Sequence, residues 1–474
     1  MLLQEKVLNL YRLIRGEFYR CREDLVVEGR QFSSTLLLEI IGFLNRVCTI
    51  LFGDYGQGKT TSAELIGSIM AGLPYPVVVL SEVRGAPEIT EEKLIAIVDL
   101  GKLQQGEVVV IWSPFVRSPV HIVDEITRIP EIKQSMLLEG IRTGRWLYLG
   151  QILEMGRTPL FATANFEDLT GGSFQLIPAL MDRFVLGLDA SYPGVKESLG
   201  IALDPDLEAK LAQAGLFDYV EEASALLTAK GYDRKALTEF SESFKSHLED
   251  HGWTPLYKAE LEQAEREIQR MPLSERAVRF MGFLTSTLNF CCRSGQKRSA
   301  RFGEEGAGGR ECPKDCRFYR APCSLVIGGG SRRQERDIVQ TARALAWLLG
   351  AGEVGVEHIR ICTPFCLWHR RGFSQTLVKK AATAQRRHGY PLKLEAAFTF
   401  AEELHREFVE MHDFIEYLHE NEEDLKRQAQ LDGAQGITIG RQRHVRLSEL
   451  HPYAQDVLGV AAFEPVTESA STGA

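Results

Sequence analysis

The sequence predicts an α/β fold, with a parallel sheet sandwiched by helices, followed by an α-helical domain. The first observation is a glycine-framed octapeptide, GDYGQGKT at 53–60, which follows an apolar run at 47–52 and precedes a helical stretch at 61–70. The second is a series of short apolar runs, which are typical of strands buried on both faces of a parallel sheet. These runs are 77–80, 108–111, 121–123 and 160–164. The third is a change after Pro193 to charged helical patterns without strand signals.

The length of 474 residues exceeds one ordinary domain. The expected segments are an N-terminal helical segment at 1–31, the α/β domain at 32–195, a helical insertion at 196–270, a second helical domain at 271–372 with a cysteine-rich insert at 291–323, and a helical C-terminal extension at 373–474 with a disordered tail. The net charge of -9, from 55 basic and 64 acidic residues, argues against a protein that coats nucleic acid.

The composition also predicts the compartment. Glu5 and Lys6 interrupt the apolar residues of the N-terminus, so it does not resemble an export signal. No uninterrupted apolar stretch has membrane-spanning length. We therefore expect a cytoplasmic protein without membrane contact, whose nine cysteines serve as thiols or metal ligands rather than as disulfides.

Apolar periodicity predicts the individual helices. Residues 1–31 have a charged helical pattern, and Ser33, Ser34 and Thr35 are N-cap candidates for a helix at 36–44. Two helices of the second helical domain each have one apolar face. The faces consist of Ala277, Met281, Leu284, Leu288 and Cys291 in the first helix, and of Ile338, Ala342, Leu345 and Leu349 in the second. A charged helical run follows at 398–430.

The octapeptide fits the phosphate-loop pattern Gly-x-x-x-x-Gly-Lys-Thr in its required strand–loop–helix context. Gly53, Gly56 and Gly58 allow positive φ and close backbone approach, so that N–H groups can surround a polyphosphate at a helix N-terminus. Lys59 then reaches the β- and γ-oxygens, and Thr60 is placed to give its hydroxyl to Mg²⁺. The sequence therefore predicts binding of ATP and Mg²⁺. The expected loop contacts are Gly53, Asp54, Tyr55, Gly56, Gln57, Gly58, Lys59, Thr60 and Thr61.

A second motif, His121-Ile-Val-Asp124-Glu125, is an apolar strand that ends in two adjacent acids. We expect Asp124 to hold Mg²⁺ through water, together with Thr60. Glu125 would polarise the water that attacks the γ-phosphate in line. This pair predicts an ATPase.

The acids continue as DEITRIPEIKQSMLLEGIRTGRW, which resembles the DEINRAPPKTQSALLEAM segment of MoxR-type AAA+ ATPases. A later stretch, PLFATANFEDLTGGSFQLIPALMDRFVLGLDASYP, is similar to the family segment that contains sensor 1 and Leu-Leu-Asp-Arg-Phe. The resemblance implies the AAA+ type of P-loop NTPase fold. It also implies that Asn165 is the sensor 1 residue beside the catalytic water, and that Arg183 is an arginine finger acting on a neighbouring subunit.

The stretch from GGGSRRQERDIVQ to FCLWHRR looks like the lid helix of that family, which makes the second helical domain the lid. The resemblance implies that Arg333 is the sensor 2 residue; Arg332 is adjacent, and no proline fixes the register. The chain departs from the family at Asp54 and Tyr55, where two prolines are usual, and at Phe166, which replaces the proline after the sensor asparagine. Tyr55 packs against the nucleotide or caps the loop, and the sequence does not choose.

The resemblance implies a ring, usually of six subunits, that hydrolyses ATP to remodel, assemble or activate a partner protein. Relatives of this type act in metalloenzyme maturation or complex assembly, often beside a von Willebrand factor A protein. The main alternative is a DNA-associated AAA+ ATPase of a restriction or motor type. A small-molecule phosphotransferase is a weaker third reading, because it has no use for the sensor and finger residues.

The last prediction concerns a cluster of cysteines. Cys312, Cys316 and Cys323 stand within twelve residues, and Cys291 and Cys292 lie about twenty residues upstream. Four thiolates would suit structural Zn²⁺, while the loose Cys-x-x-x-Cys spacing leaves an iron–sulfur cluster, or no metal, open. Cys291 falls on the predicted apolar helix face, so Cys292 is the expected fourth ligand. Eight basic residues against four acids between 293 and 320 leave nucleic-acid contact open without favouring it.

Overall fold

A computed structural model describes residues 1–165, 174, 176–190, 192–203, 206–291, 296–297, 312–384, 389–431, 436–439 and 443–459. Its centre is a sheet of five parallel strands in the order β5–β1–β4–β3–β2. The strands are β1 (Cys48–Gly53), β2 (Val83–Arg84), β3 (His121–Asp124), β4 (Leu160–Asn165) and β5 (Phe184–Asp189). The predicted α/β fold is therefore confirmed.

The two faces of the sheet pack into separate cores, because side chains alternate along each strand. Leu51, Phe161 and Leu186 belong to the core that also contains the helices Ser34–Leu44 and Lys59–Ala71. Ile50, Ala162 and Phe184 belong to the other core, which residues of the helix Glu131–Thr143 join. Because helices cover both faces of the sheet, the strand sequences are continuous apolar runs.

The remaining elements surround this sheet. The other helices before residue 195 are Leu3–Leu13, Tyr75–Leu80, Glu91–Leu94, Leu100–Leu103, Pro114–Arg117 and Pro178–Met181, with a π-turn at Ile14–Phe18. The helical insertion contains Val195–Leu203, Leu207–Gln213, Val220–Thr228, Arg234–Asp250 and Lys258–Arg270. The later helices are Glu275–Asn289, Arg333–Leu349, Val356–Leu367, Gln375–Thr383, Leu392–Glu410, His412–Glu420, Glu422–Leu431 and Pro452–Val457.

Short 3₁₀ turns and two-stranded antiparallel sheets connect these elements. The 3₁₀ turns are Ile126–Arg128, Pro322–Ser324 and Leu447–Glu449. Two-stranded antiparallel sheets pair Leu25–Val27 with Arg30–Phe32, Ala96–Val98 with Val110–Trp112, Arg145–Tyr148 with Gln151–Glu154, Phe290–Cys291 with Gln296–Lys297, Val326–Ile327 with Gly372–Phe373, and Ile437–Ile439 with Arg443–Val445. Within the described ranges, no helix combines the length and the apolar character needed to cross a bilayer.

The second helical domain docks on β5, the edge strand of the sheet. The indole nitrogen of Trp368 donates to the carbonyl of Gly187 at 2.7 Å, and His369 Nε2 donates to the carbonyl of Phe184 at 2.7 Å. Gly187 is required for this approach, because a Cβ there would lie 2.5 Å from His369 Nδ1. The domain is thus fixed to the sheet beside β1, the strand that enters the phosphate loop.

Two of the predicted strands are wrong in part. Residues 77–80 form the end of the helix Tyr75–Leu80, with Pro76 in its first turn, where proline is favoured. A short buried apolar run does not separate strand from helix by periodicity, and here the proline context decides. The run at 108–111 contributes a strand, Val110–Trp112, but it pairs antiparallel with Ala96–Val98 outside the central sheet.

Two other predictions need correction. Residues 1–31 are helical only up to Phe18, and the hairpin that begins at Leu25 follows. The first helix of the second helical domain ends at Asn289, so Cys291 lies in a short strand and not on the apolar helix face. The other four residues of that face are buried, and so are the four of the helix Arg333–Leu349. The argument that preferred Cys292 over Cys291 as a metal ligand therefore fails.

Candidate functional site

The phosphate loop joins β1 to the helix Lys59–Ala71 at the carboxyl edge of the sheet. Gly56 and Gly58 both have φ of +71°, which L-residues with a side chain rarely adopt. Gly53 is closely packed, since a Cβ there would lie 2.7 Å from the carbonyl oxygen of Ala190. Gly58 occupies the N-cap position, so the loop presents N–H groups at a helix N-terminus.

Lys59 lies inside the loop with 8 % of its surface exposed. Its ammonium group donates to the carbonyl oxygens of Gly53 at 3.1 Å and Asp54 at 2.7 Å, and to Asn165 Oδ1 at 2.7 Å. Asn165 can make this contact because it ends β4 in register with Gly53. The structure therefore places the predicted sensor asparagine beside the lysine that reaches phosphate oxygens in such loops.

Asp124 and Thr60 are in direct contact. The Thr60 hydroxyl donates to Asp124 Oδ1 at 2.7 Å, and the hydroxyl of Thr163 on β4 donates to the same oxygen at 2.6 Å. The Thr163 oxygen also accepts the backbone N–H of Glu125 at 2.9 Å. A hydroxyl and a carboxylate are oxygen ligands of the kind Mg²⁺ uses, so these residues fit that ion.

Glu125 adopts a constrained backbone conformation at the end of β3. Its φ is +50°, and its carboxylate accepts from Arg128 at 2.9 Å. Gly85 packs against this turn so closely that a Cβ would lie 2.1 Å from the Glu125 carbonyl oxygen. The backbone thus holds the acid at the site, and the ion pair with Arg128 engages its Oε2 atom.

A cavity of about 460 Å³ adjoins the phosphate loop. The loop contributes Gly56, Gln57, Gly58 and Thr61, and the rest of the wall includes Tyr19, Arg20, Cys21, Asp189, Tyr192, Ile201 and Leu207. Its volume falls within the range of small-molecule sites. The N-terminal segment and the helical insertion therefore complete the space next to the loop where the nucleoside part of a nucleotide would lie.

Arg183 lies at the amino end of the parallel strands, whereas the phosphate loop lies at their carboxyl end. It immediately precedes β5, whose first residue is paired with Cys48 at the start of β1. At about 3.3 Å per residue, β1 separates Arg183 from the loop by roughly 15–20 Å. The Nε atom of Arg183 is buried and has no hydrogen-bond partner among the described residues.

Arg333 lies beside Arg183. Arg333 forms an ion pair with Asp182 at 2.9 Å, and the hydroxyl of Ser331 donates to the same carboxylate at 2.7 Å. Burial, and then the positive charge of Arg333, lower the pKa of Arg183. The structure thus brings the predicted finger and the predicted sensor 2 residue together, away from the phosphate loop of their own chain.

Two buried acids lie behind the magnesium side of the site. Burial, then Glu64 and Asp124, raise the pKa of Glu82 to about 8. Glu64, on the helix that follows the loop, accepts the hydroxyl of Tyr75 at 2.5 Å. The raised pKa favours the neutral form of Glu82 and so limits the negative charge that surrounds Asp124, although Arg84 Nε, 3.1 Å from Glu82 Oε1, opposes this shift.

Comparisons with known proteins agree with this geometry. Residues 318–387 match the family model of the AAA lid domain. A candidate ATPase from Cytophaga hutchinsonii, solved by crystallography, is similar over 85% of this chain and 96% of its own, with 16% identity and a TM-score of 0.50. The chain has the AAA+ fold. A full-length MCM homologue from Methanopyrus kandleri is similar over 77% of this chain and 60% of its own, with 14% identity and a TM-score of 0.39. No curated protein sequence matches the chain.

The predicted residues form two groups in the structure. The loop residues, with Asp124, Glu125 and Asn165, converge at the carboxyl edge of the sheet, and Arg183 and Arg333 meet at the other edge. Tyr55 is 56 % exposed, which does not decide between its two predicted roles. Cys292 lies outside the described residues.

Sequence reasoning missed Thr163, Gly85 and Arg128. The signal for Thr163 was available, since it is a hydroxyl side chain in a strand that is otherwise apolar up to Asn165. The contact of Gly85 with the Glu125 turn depends on the β2–β3 pairing, which no local pattern reveals.

Thr163 supplies a testable prediction for the AAA+ site. We expect Thr163→Val to raise the Mg²⁺ concentration needed for half-maximal ATP hydrolysis about 10- to 100-fold, as losses of residues that orient metal ligands do. The valine would leave the buried N–H of Glu125 without its acceptor and would release Asp124 Oδ1. Rates measured across a Mg²⁺ titration check this, with Thr163→Ser as the control that keeps the hydroxyl. An unchanged titration in the valine variant would remove Thr163 from the positioning of Asp124.

Glu39 predicts a pH dependence of stability. It is fully buried, accepts the hydroxyl of Ser62 at 2.8 Å, and burial raises its pKa to about 8. The unfolded chain releases this proton near pH 4.3, so the contribution of Glu39 to stability is complete below that pH and is lost as pH rises toward about 8. We therefore expect Glu39→Gln to melt progressively higher than the wild type between about pH 5 and pH 8. Parallel melting curves across this range would contradict the buried neutral acid.

Proposed function

We propose that this chain is an ATP-hydrolysing AAA+ ring ATPase of the MoxR type, which acts in the cytoplasm to remodel, assemble or activate a partner protein. One observation carries the proposal. The groups that handle phosphate and magnesium lie at one edge of the sheet, and Arg183 lies roughly 15–20 Å away at the other edge. Arg183 can therefore reach a triphosphate only on a neighbouring copy, as arginine fingers supplied in trans do.

In such a ring, Arg183 and Arg333 of one subunit face the triphosphate of the next. The ion pair of Arg333 with Asp182, the residue next to Arg183, supports this arrangement. The resemblance to MoxR-type proteins makes six subunits the expected number. Glu125 then polarises the water, and the two arginines neutralise charge that develops on the γ-phosphate.

The lid links nucleotide state to movement. Ser331 and Arg333 begin the helix Arg333–Leu349 and hold Asp182, the residue next to the finger. ATP that attracts Arg183 and Arg333 across an interface competes with Asp182 for these cations. Hydrolysis would release them and shift the population of lid positions, which is the step that a bound partner would sense.

The partner is proposed by analogy with MoxR-type relatives: a metalloenzyme or complex under assembly, together with a von Willebrand factor A protein. A substrate trap tests this. We expect the Glu125→Gln chain, with ATP present, to retain a partner that the Lys59→Ala chain does not retain. Recovery of the same proteins with both variants, or of none with either, would remove the remodelling proposal.

The DNA-associated alternative depends on the basic insert. Four of its eight basic residues lie outside the described residues, and among the four that are described Arg317 pairs with Glu449 at 3.6 Å. The net charge of -9 keeps this alternative second. An ATPase rate that duplex or single-stranded DNA raises severalfold, with no effect of partner protein, would replace remodelling with a nucleic-acid function.

We also propose that the cysteine cluster binds Zn²⁺ or an iron–sulfur cluster. The pKa of Cys312 is raised to about 12, first by burial and then by the thiols of Cys316, Cys323 and Cys291. Cys312 and Cys316 are therefore close together, with Cys323 and Cys291 within electrostatic range, and Cys291 is the described candidate for the fourth thiol in place of Cys292. Among the described residues, no three of these sulfur atoms lie within 4.8 Å of one another, so an ion would have to draw them together. A bound metal would stabilise an insert that has little apolar core of its own.

Metal analysis of the purified chain tests the cysteine cluster. We expect about one zinc, or an iron–sulfur cluster with visible absorption, per chain, and loss of that metal in Cys312→Ser. Cys362→Ser is the matched control, since Cys362 is buried in the helix Val356–Leu367. A wild-type chain without zinc or iron, purified without chelator and under anaerobic conditions, would contradict the site.

A further inference from the structure

Asp218, His247 and His251 converge on the surface of the helical insertion. Each offers one metal-ligating atom, and these atoms lie within 4.8 Å of one another; in the described part of the chain, this is the one group of its kind. His247 Nε2 is 2.7 Å from Asp218 Oδ2. All three side chains are at least partly exposed, so an ion can reach them from solvent.

The backbone places these side chains independently of any ion. His247 and His251 lie one turn apart at the C-terminal end of the helix Arg234–Asp250, and Asp218 belongs to the connection before the helix Val220–Thr228. Gly215 has φ of +77°, and a Cβ there would lie 2.9 Å from His251 Nδ1. The glycine thus leaves room for the imidazole to lie against this connection.

Two hydrogen bonds anchor the connection to the rest of the protein. The carbonyl of Leu216 accepts the N–H of Tyr75 at 2.8 Å, and the carbonyl of Ala214 accepts the indole N–H of Trp253 at 3.0 Å. Trp253 follows the helix that carries both histidines. These two hydrogen bonds hold the connection, and with it Asp218, near the two imidazoles. The chain therefore loses little conformational entropy when an ion binds.

The hydrogen bonds of His251 favour coordination. Its Nδ1 lies 3.1 Å from the carbonyl oxygen of His247. A carbonyl only accepts, so Nδ1 carries the proton, and Nε2 of the neutral ring keeps its lone pair. Backbone carbonyls orient histidine ligands of metals in this way.

We propose that Asp218, His247 and His251 bind a divalent transition-metal ion, with Zn²⁺ as the best match. Two imidazoles and one carboxylate are a ligand set that zinc accepts, and a fourth position stays open to water or to a group from a partner. The ion replaces the hydrogen bond between Asp218 and His247. It fastens the connection at 214–219 to the helix Arg234–Asp250.

Such an ion would also brace the nucleotide-binding domain. Leu216 holds the backbone of Tyr75, and Tyr75 in turn donates to Glu64 on the helix after the phosphate loop. The ring of Phe217 stacks with that of Tyr75 at 6.1 Å. The site is thus two contacts away from the phosphate-loop helix, although its proposed occupancy does not depend on ATP hydrolysis.

Calorimetric titration with Zn²⁺ tests the site in the full chain. To exclude zinc binding by the cysteine cluster, the parent chain and every variant in this titration carry Cys312→Ser and Cys316→Ser. We expect one Zn²⁺ site, which His247→Ala and Asp218→Asn each weaken at least about 100-fold, in line with the effect of altered metal shells. His412→Ala is the matched control, because His412 is an exposed histidine on another helix, and it should bind as the parent does.

If the chain with both serine substitutions does not fold, the absorption spectrum of bound Co²⁺ distinguishes this site from a thiolate site. Co²⁺ added to the wild-type chain should give visible bands of a nitrogen and oxygen site that disappear in His251→Ala, while any thiolate-to-cobalt band stays. Zinc or cobalt binding that is the same in the parent, His247→Ala and Asp218→Asn would overturn the proposal. The proposal would also be overturned if the chain with both serine substitutions bound no Zn²⁺ and the wild-type chain showed no cobalt bands of a nitrogen and oxygen site.

Discussion

Replacing Glu125 by glutamine is expected to preserve ATP binding and to lower hydrolysis about 100- to 10,000-fold, the usual range for loss of a general base. The amide keeps the size of the side chain but does not accept the proton of the attacking water. The backbone of Glu125 remains held by Thr163 and Gly85, so the site should keep its shape. Binding depends on the phosphate loop and Lys59, which the substitution does not touch.

Two measurements separate binding from turnover for this variant. A fluorescent ATP analogue should bind the wild type and Glu125→Gln with similar affinity, whereas phosphate release should be retained only by the wild type. Glu131→Gln is the matched control, because Glu131 is an exposed acid six residues further along the chain. Turnover at the wild-type rate in Glu125→Gln would show that another group polarises the water.

The phosphate-handling residues could be predicted because they depend on contiguous sequence. The phosphate-loop pattern consists of the glycine spacing, the preceding apolar run and the following helix, all within about twenty-five residues. The loop, Lys59 and Thr60 lie where that pattern predicts them. Asp124 and Glu125 follow the same rule, since they end a strand whose apolar run is unambiguous.

Contacts between distant strands could not be predicted in the same way. Thr163 touches Asp124 only because β4 pairs with β3, and Gly85 meets Glu125 only because β2 pairs with β3. A short apolar run such as 77–80 is equally compatible with a helix or a strand, and Pro76 at the first turn resolves it. The nearness of Arg333 to Arg183 likewise follows from docking of the lid on β5, for which a single sequence holds no local signal.

Arg183 is expected to contribute across subunits, so Arg183→Ala should bind ATP normally and lose about 1,000- to 100,000-fold in hydrolysis, as arginine fingers do in GTPase systems. The distance argues for this result. Arg183 lies level with the start of β1, and the phosphate loop begins after its end.

A mixing experiment decides whether the finger acts across subunits. Lys59→Ala chains cannot hydrolyse ATP but still present Arg183, whereas Arg183→Ala chains keep an intact phosphate loop. Combining the two inactive variants should therefore restore part of the wild-type rate, because mixed rings contain interfaces with both groups. Arg142→Ala, which removes an exposed arginine that pairs with Glu139 at 2.7 Å, is the control and should stay near the wild-type rate. No recovery in the mixture, with assembly verified by light scattering, would exclude the finger in trans and with it the ring as the active form.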